Sequence, residues 1–343
     1  MTDYSPEETQ PLIINGGTEQ RDDAIEIRNP YGGGTITRVA QAAVDDVDTA
    51  VRAARDRVGA HPPVARAEIL ERAAGIVREQ HERFARTIAL EAGKPIVQAR
   101  GEADRCIDTL TFSAVEARTL AGEVVPMDGS HSGRGKLAIV SRAPAGVVGA
   151  ISPFNFPLNL VAHKLAPAIA AGCPVVLKPA AQTPLSALLL ARALIDAGLE
   201  TGDLSVLPGP GGTVGAALVE HPDVPVITFT GSSGVGWAIR AEQPRKHVAL
   251  ELGNSTPVIV HSDADVELAA ERIAASGFTH AGQSCISVQR VYVHDDRREQ
   301  FTAALLERVE ALTVGDPLDE ATDLGPVIDA GARERLDEWI GEG

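Results

Sequence analysis

Hydrophobic residues recur at helical spacing through the first third of the chain. From about Val44 to Ala121 the apolar side chains lie three and four residues apart, as in AEILERAAGIVREQHERFARTIALEAG, where Ile69, Leu70 and Ala73 share a face. This spacing predicts two or three amphipathic helices. Residues 122–142 follow and contain MDGSHSGRG, a polar, turn-rich stretch that predicts a hairpin or an excursion from the main body.

Short apolar runs then alternate with helical segments. The predicted strands are 147–151, 175–177, 204–207 and 226–229, and the predicted helices between them are 159–171, 185–197 and 213–220. Such alternation predicts an α/β fold with a doubly wound, largely parallel, Rossmann-like sheet. We assign residues 1–121 and 143–247 to this domain, 122–142 to the hairpin, and 248–343 to a second α/β domain. That domain begins with the predicted elements 257–261, 266–276 and 288–294.

Length and cysteine content narrow the class of protein. A chain of 343 residues is longer than one hydrophobic core usually organises, which favours two domains. The acidic N-terminus MTDYSPEETQ is unlike a signal peptide, and no apolar run is long enough to cross a bilayer. Three cysteines, at 106, 173 and 285, do not resemble a disulfide framework. We predict a cytoplasmic protein that has no membrane partner.

The charge balance is strongly acidic. A formal net charge of −16 argues against a nucleic-acid partner, which requires a basic face. The 31 basic residues comprise 5 lysines and 26 arginines. Excess carboxylate with few lysines predicts a halophilic protein, although a GC-rich genome would give the same bias.

Glycine-rich turns follow two of the predicted strands. PGPGGTVG and TGSSGVG each open a helix, and glycines let backbone N–H groups approach a pyrophosphate. Each turn alone is common in α/β proteins, but two at one edge of a sheet favour a dinucleotide. Lys178 ends a wholly apolar strand. It is either a surface lysine that marks the strand end or a donor to ribose or phosphate, and the residues alone favour neither interpretation.

The stretch GQSCISVQR places Cys285 among small polar neighbours, which is unusual for an inert thiol. A lone cysteine is more often structural, and we interpret Cys106 and Cys173 as packing residues. Glu251, in an apolar run expected to end in the interior, is either paired or suited to act as a general base. Asn155, in SPFNFP, either bonds its own turn or stabilises an oxyanion. Together with Cys285 they form a set suited to carbonyl chemistry.

Other chemistries have less support in the sequence. The histidines show no paired metal-ligand spacing, and no Cys-x-x-Cys occurs, so we predict no metal. A phosphate-binding G-x-x-x-x-G-K loop is also absent from the sequence.

Five ordered motifs give the chain a family resemblance: ISPFNFP, LKPAAQTP, FTGSSGVG, LELGN and GQSC. From about residue 12 to its end the chain resembles the non-acylating, NAD(P)-dependent members of the aldehyde dehydrogenase superfamily. The resemblance implies that a Cys285 thiolate attacks the aldehyde and that Asn155 and the Cys285 N–H hold the oxyanion. Hydride would pass to C4 of the nicotinamide, and Glu251 would activate the water that releases the carboxylic acid.

The resemblance also implies a cofactor site and an assembly. The predicted cofactor-binding residues are Ile151, Ser152, Pro153, Phe154, Lys178, Ala180, Ala181, Gly211, Gly215, Phe229, Thr230, Gly231, Ser232, Val235, Leu252 and Gly253. Many NAD-preferring members carry a ribose-binding Glu three residues after the lysine. This chain has Ala181 there, so NADP is expected to be accepted and even preferred. The 122–142 segment is similar to the family's oligomerisation hairpin, which implies a homodimer or homotetramer.

The family's Glu-x-Phe-Gly-Pro motif is missing, and we expect the chain to be truncated at its C-terminus, with an incomplete second domain. This leaves two alternatives: an inactive or dinucleotide-binding fragment, and a CoA-acylating relative, against which Glu251 argues. The GQSCISVQR stretch is similar to members that act on lactaldehyde, glyceraldehyde phosphate or small semialdehydes. We therefore expect a small aldehyde as substrate.

Overall fold

The computed structural model describes residues 4–342 of the chain. Its strands are β1 (Thr9–Gln10), β2 (Leu12–Ile14), β3 (Gly17–Glu19), β4 (Ala24–Arg28), β5 (Thr35–Ala40), β6 (Glu123–Val125), β7 (Ala138–Val140), β8 (Val148–Ile151), β9 (Val175–Lys178), β10 (Leu204–Val206), β11 (Val226–Thr230), β12 (His247–Glu251), β13 (Pro257–Val260) and β14 (Arg290–Val293). Its helices are α1 (Val44–Arg55), α2 (Pro63–Glu79), α3 (His81–Ala92), α4 (Ile96–Thr119), α5 (Asn159–Ala170), α6 (Leu185–Asp196), α7 (Ala216–Glu220), α8 (Ser233–Glu242), α9 (Val266–Phe278), α10 (Asp295–Glu310) and α11 (Ala330–Glu342).

The largest sheet has seven strands in the order β12-β11-β8-β9-β10-β2-β3. The five strands from β12 to β10 are parallel, whereas β2 and β3 are antiparallel additions at one edge. From β8 the chain proceeds outward to β9 and β10, then returns to the other side of β8 to form β11 and β12. The strand order therefore reverses between β8 and β11, the position at which doubly wound sheets bind ligands.

Both faces of this sheet are covered by helices. Along β9, Val175 and Leu177 pack into a cluster with residues of α2 to α6, whereas Val176 packs into a second cluster with residues of α1, α7 and α8. Alternate side chains of a strand point to opposite faces, so a strand buried on both sides is apolar throughout. This confirms the predicted doubly wound α/β fold.

The first 142 residues are more elaborate than their pattern predicted. Four helices, α1 to α4, stand where two or three were expected, and only Gln80 separates α2 from α3. Before them, β1, β5 and β4 form a three-stranded sheet that the sequence did not predict. Strands β6 and β7 pair antiparallel, with Glu123 opposite Val140, and form a hairpin within 122–142.

A smaller unit follows the central sheet. Strands β13 and β14 pair in parallel, and α9 and α10 pack with them around Val260, Ile273 and Phe301. The side chain of Asp265 caps α9 by accepting from the Leu268 N–H at 3.1 Å. The predicted domain boundary at residue 248 lies inside β12, and the division into domains stays a prediction. Among residues 4–342, no helix has the length and apolarity that spanning a bilayer requires.

Candidate active site

A cleft of about 1040 Å³ opens at the carboxyl ends of β8, β9, β11 and β12. Every residue that the sequence suggested for catalysis or cofactor binding lines it: Ile151, Ser152, Pro153, Phe154, Asn155, Lys178, Ala180, Ala181, Gly211, Gly215, Phe229, Thr230, Gly231, Ser232, Val235, Glu251, Leu252, Gly253 and Cys285. The structure thus brings together segments that are up to 134 residues apart, from Ile151 to Cys285 (285 − 151 = 134). Their individual roles stay predictions.

Cys285 lies in a tightly folded loop between α9 and β14. At the start of the loop His280 and Gly282 have left-handed φ angles of 49° and 73°. The backbone N–H and the side-chain amide of Gln283 both donate to the His280 carbonyl at 3.1 Å. This arrangement leaves the free Cys285 thiol partly exposed on the wall of the cleft.

Side chains from three other segments hold this loop. Asn155 Nδ2 donates to the Gln283 carbonyl at 2.7 Å, and Asn254 Nδ2 donates to the Cys285 carbonyl. The Ile328 N–H donates to Gln283 Oε1 at 2.9 Å. Sequence reasoning did not single out Asn254 or Gln283, although both lie inside motifs it quoted, LELGN and GQSC.

The Asn155 amide lines the cleft and has one N–H donor without a hydrogen-bond partner among the described residues. A primary amide carries two N–H donors, and the Gln283 carbonyl occupies one of them. Oδ1 is buried and has no hydrogen-bond partner among the described residues. The backbone three and four residues after Asn155 is also fixed. The N–H groups of Leu158 and Asn159 donate to Glu102 Oε1 at 2.9 and 3.0 Å, which fixes the start of α5. Asn155 is therefore held by its own contact to Gln283 and by the anchored backbone that follows it.

Glu251 is exposed, so the interior position expected for it is wrong. It ends β12, the outermost strand of the parallel part of the sheet. Val248 and Leu250 pack against the core, whereas the alternate positions of the strand, Glu251 among them, are exposed. An apolar run predicts a strand but does not reveal whether both of its faces are covered.

Lys164 is a residue next to the site that sequence reasoning missed: it contacts Thr230, which lines the cleft. It is buried in α5, and its Nζ donates to the hydroxyls of Thr228 and Thr230 at 3.1 and 2.7 Å. Burial lowers the pKa of Lys164 to about 8, and the nearby charge of Glu251 acts in the opposite direction. The available signal was a lysine inside the apolar run NLVAHKLAPAIA, in a chain with few lysines.

Lys178 and the glycine-rich strand ends fit a dinucleotide. Lys178 is buried, burial lowers its pKa, and its ammonium has no hydrogen bond or ion pair with any residue in 4–342. At Gly211 and Gly253 an added Cβ would meet open space within the cleft. At Gly236 it would lie 2.5 Å from Leu252 Cδ2, so α8 requires glycine to approach β12. Ser232, the N-cap residue of α8, lines the cleft, and free N–H groups at the start of a helix favour an anion.

Helix α11 also faces the cleft. Ala332, Arg335, Leu336 and Trp339 line it at i, i+3, i+4 and i+7, a helical face that sequence reasoning did not single out. Within residues 4–342, no group of three or more His, Cys, Asp or Glu side chains could hold a metal ion.

Comparison with known families and proteins decides the family. Residues 18–343 match the model of the aldehyde dehydrogenase family. The chain belongs to the aldehyde dehydrogenase family. The 3-sulfolactaldehyde dehydrogenase of Priestia aryabhattai is 44% identical over all 343 residues, which cover 72% of that relative. The NADP⁺-dependent succinate-semialdehyde dehydrogenase GabD of Escherichia coli is 36% identical over 97% of this chain and 70% of the relative.

Solved aldehyde dehydrogenases share the fold. Aldehyde dehydrogenase 21 from Physcomitrella patens, in complex with its reaction product succinate, superposes with a TM-score of 0.94 at 36% identity over 98% of this chain and 71% of that one. The NADP-dependent glyceraldehyde-3-phosphate dehydrogenase from Bacillus halodurans, complexed with NADP, gives 0.94 at 37% identity over 97% and 71%. The predicted family, enzyme class and NAD(P) cofactor are confirmed: this aldehyde dehydrogenase is an NAD(P)-dependent oxidoreductase that acts on an aldehyde.

Proposed function

We propose that this aldehyde dehydrogenase oxidises a small aldehyde to its carboxylate through a thioester on Cys285, which water then hydrolyses. The observation that carries the proposal is the convergence of Cys285, Asn155 and Glu251 on one cleft that also contains the dinucleotide-fitting strand ends. A nucleophile, an oxyanion donor and a general base are the groups that this reaction requires.

In the first step the Cys285 thiolate adds to the aldehyde carbon, and the carbonyl electrons move to oxygen. The free N–H of Asn155 and the backbone N–H of Cys285 donate to that oxyanion. Donors fixed before the reaction stabilise the developing charge without reorganising. The Asn155 contact to Gln283 ties the oxyanion donor to the loop that carries the nucleophile.

In the second step water replaces sulfur on the acyl carbon. When NAD(P)⁺ is bound it supplies the acceptor for the hydride that leaves the thiohemiacetal, which becomes a thioester. Glu251 then takes a proton from water as the water oxygen attacks the acyl carbon, and cleavage of the C–S bond regenerates the thiolate. Exposure of Glu251 gives its carboxylate direct access to that water.

The names of the relatives support a short substrate. They include 3-sulfolactaldehyde, lactaldehyde and succinate semialdehyde, which have three or four carbons in their chains. We propose that the substrate of the present chain is likewise a short and polar aldehyde.

Pre-steady-state kinetics of Glu251→Gln tests the hydrolytic assignment. The variant should reduce about one equivalent of cofactor per Cys285 and then stall, with a steady rate about 10²- to 10⁴-fold lower. Cys285→Ser should abolish both phases, whereas Glu116→Gln, an exposed carboxylate on α4, should behave as wild type. Wild-type turnover by Glu251→Gln, or a requirement for CoA in product release, would overturn the proposal.

We also propose that two copies associate through the β6–β7 hairpin and that the protein works in a reducing compartment, the cytosol. Val124 and Ile139 are cross-strand partners on the hairpin and are 65% and 68% exposed, an apolar pair that a second copy would cover. Cys106, Cys173 and Cys285 are all free thiols, which supports the compartment.

A further inference from the structure

A second cavity, of about 340 Å³, adjoins the cleft at Ser284, which lines both. Ile286 and Phe156 also line this cavity. Ser284 and Ile286 are the chain neighbours of Cys285, and Phe156 follows Asn155. The cavity is therefore lined by the chain neighbours of both groups to which the proposed reaction assigns the aldehyde carbon and its oxygen. Its volume is near the lower end of ligand pockets, which suits a short molecule.

The charges on the walls of this cavity do not cancel. Lys94 and Glu102 line it as a buried ion pair, so their contributions offset each other. Arg105, one turn further along α4, also lines it, and its guanidinium forms no hydrogen bond or ion pair with any residue in 4–342. The guanidinium of Arg105 therefore gives the cavity one uncompensated positive charge.

The ring of Phe156 holds the Arg105 guanidinium in place, although the guanidinium has no hydrogen-bond partner among the described residues. Its Cζ lies 5.7 Å from the centroid of the Phe156 ring, and the Lys94 ammonium lies 3.8 Å from the same ring. Contact with an aromatic face restrains a guanidinium and leaves its N–H donors open to a partner. Arg105 therefore contacts Phe156, the residue that directly follows the proposed oxyanion donor Asn155 in the chain.

We propose, resting on the proposed function, that the substrate is a short aldehyde with an anionic group at the end remote from the carbonyl. Arg105 binds that group inside the second cavity while Cys285 attacks the carbonyl carbon. An arginine fork matches the two oxygens of a carboxylate, and charge-assisted hydrogen bonds of this kind are the strong ones. A neutral aldehyde would form no ion pair with the guanidinium, so the site discriminates by charge.

The test compares succinate semialdehyde with 4-oxopentanal, its neutral isostere. Wild type should prefer the anionic aldehyde in kcat/KM. Arg105→Met should lower kcat/KM for succinate semialdehyde about 10- to 100-fold, chiefly through KM, and should leave the value for 4-oxopentanal within about twofold. Arg105→Lys should give an intermediate value. Arg78→Met removes another exposed guanidinium that lines none of these cavities and should match wild type.

Calorimetric binding of succinate separates this inference from the proposed function. Wild type and Arg78→Met should bind succinate about tenfold or more tightly than Arg105→Met. If no aldehyde is oxidised but succinate binding still depends on Arg105, the proposed function fails and the anion site stands. If both aldehydes are oxidised alike, or if Arg105→Met changes neither their ratio nor succinate binding, the proposed function stands and the Arg105 inference is overturned.

Discussion

At the scale of single residues, Lys164 gives the clearest dependence on pH. Burial lowers its pKa from 10.5 to about 8 in the folded chain. Between those two values the unfolded chain binds a proton that the folded chain does not, so stability rises with pH across this window. Below pH 8 the lysine is charged in both states, and the penalty for burying that charge is fully present. Lys164→Met removes this titration but also leaves the Thr228 and Thr230 hydroxyls without their donor.

We therefore expect the free energy of unfolding of wild type to rise by about 2–3 kcal/mol relative to Lys164→Met as pH increases from 8 to 10.5. Urea unfolding at intervals of half a pH unit measures the difference between the two proteins. Lys136→Met removes an exposed lysine of the hairpin, and its free energy of unfolding should change with pH as that of wild type does. Parallel curves for Lys164→Met would show that Lys164 does not titrate in this window.

Ala181 determines the expected cofactor preference. It lines the cleft close to Lys178, whose pKa is lowered by burial with no offsetting effect from any carboxylate in residues 4–342. A 2′-phosphate would meet a positive charge and no repulsion there, so kcat/KM should be higher with NADP than with NAD. Ala181→Glu should reverse the preference by about tenfold or more, since it adds a repelling charge. Ala181→Gln, equal in size and uncharged, should keep it. Strong NAD selectivity of the wild type would contradict the argument.

At the scale of elements, the sequence predicted a helix or strand best when it was long or when both of its faces were buried. Helices α5 and α6 end within one residue of their predicted bounds, because a long periodic run between strands admits one interpretation. Strands β1 to β3 have only two or three residues and carry too little pattern to be found. The exposure of Glu251 was not predictable either, because it depends on which strand lies outermost in the sheet, a property of topology and not of the run itself.

The β6–β7 hairpin is the element whose partner can be tested directly. Its Val124–Ile139 pair is an exposed apolar face on a two-stranded sheet, which is seldom stable alone in water. We expect wild type to be a dimer or larger, and Ile139→Lys to shift it towards monomer by about tenfold or more in Kd, because a buried unpaired charge is costly. Light scattering after size exclusion measures the mass. Val97→Lys, an exposed valine on α4, should not change it, and a monomeric wild type would rule out the hairpin interface.

At the scale of the whole molecule, the sequence predicted where the cleft lies but did not predict all of the residues in and around it. Polar and glycine-rich segments after parallel strands must meet at one edge of the sheet, so the cleft was predictable from strand order. The roles of Lys164 and Trp339 were not, since Trp339 lines the cleft and Lys164 contacts the cleft residue Thr230, each from a helix face whose orientation depends on packing. Arg105 belongs with them: on α4, its relation to Cys285 appears only once the two segments are packed together.

The net charge of −16 acts on the molecule as a whole. Repulsion among its carboxylates opposes the compact state, and added salt screens that repulsion because the Debye length falls from about 10 Å at 0.1 M to about 3 Å at 1 M. We therefore expect the unfolding temperature to rise by several degrees between 0.05 and 2 M KCl. Replacing Glu79, Glu116 and Glu299, three exposed carboxylates, with Gln should raise stability at low salt and shrink the salt effect. A salt effect of equal size in both proteins would assign it to general salting-out, and a wild type indifferent to KCl would remove the case for a halophilic protein.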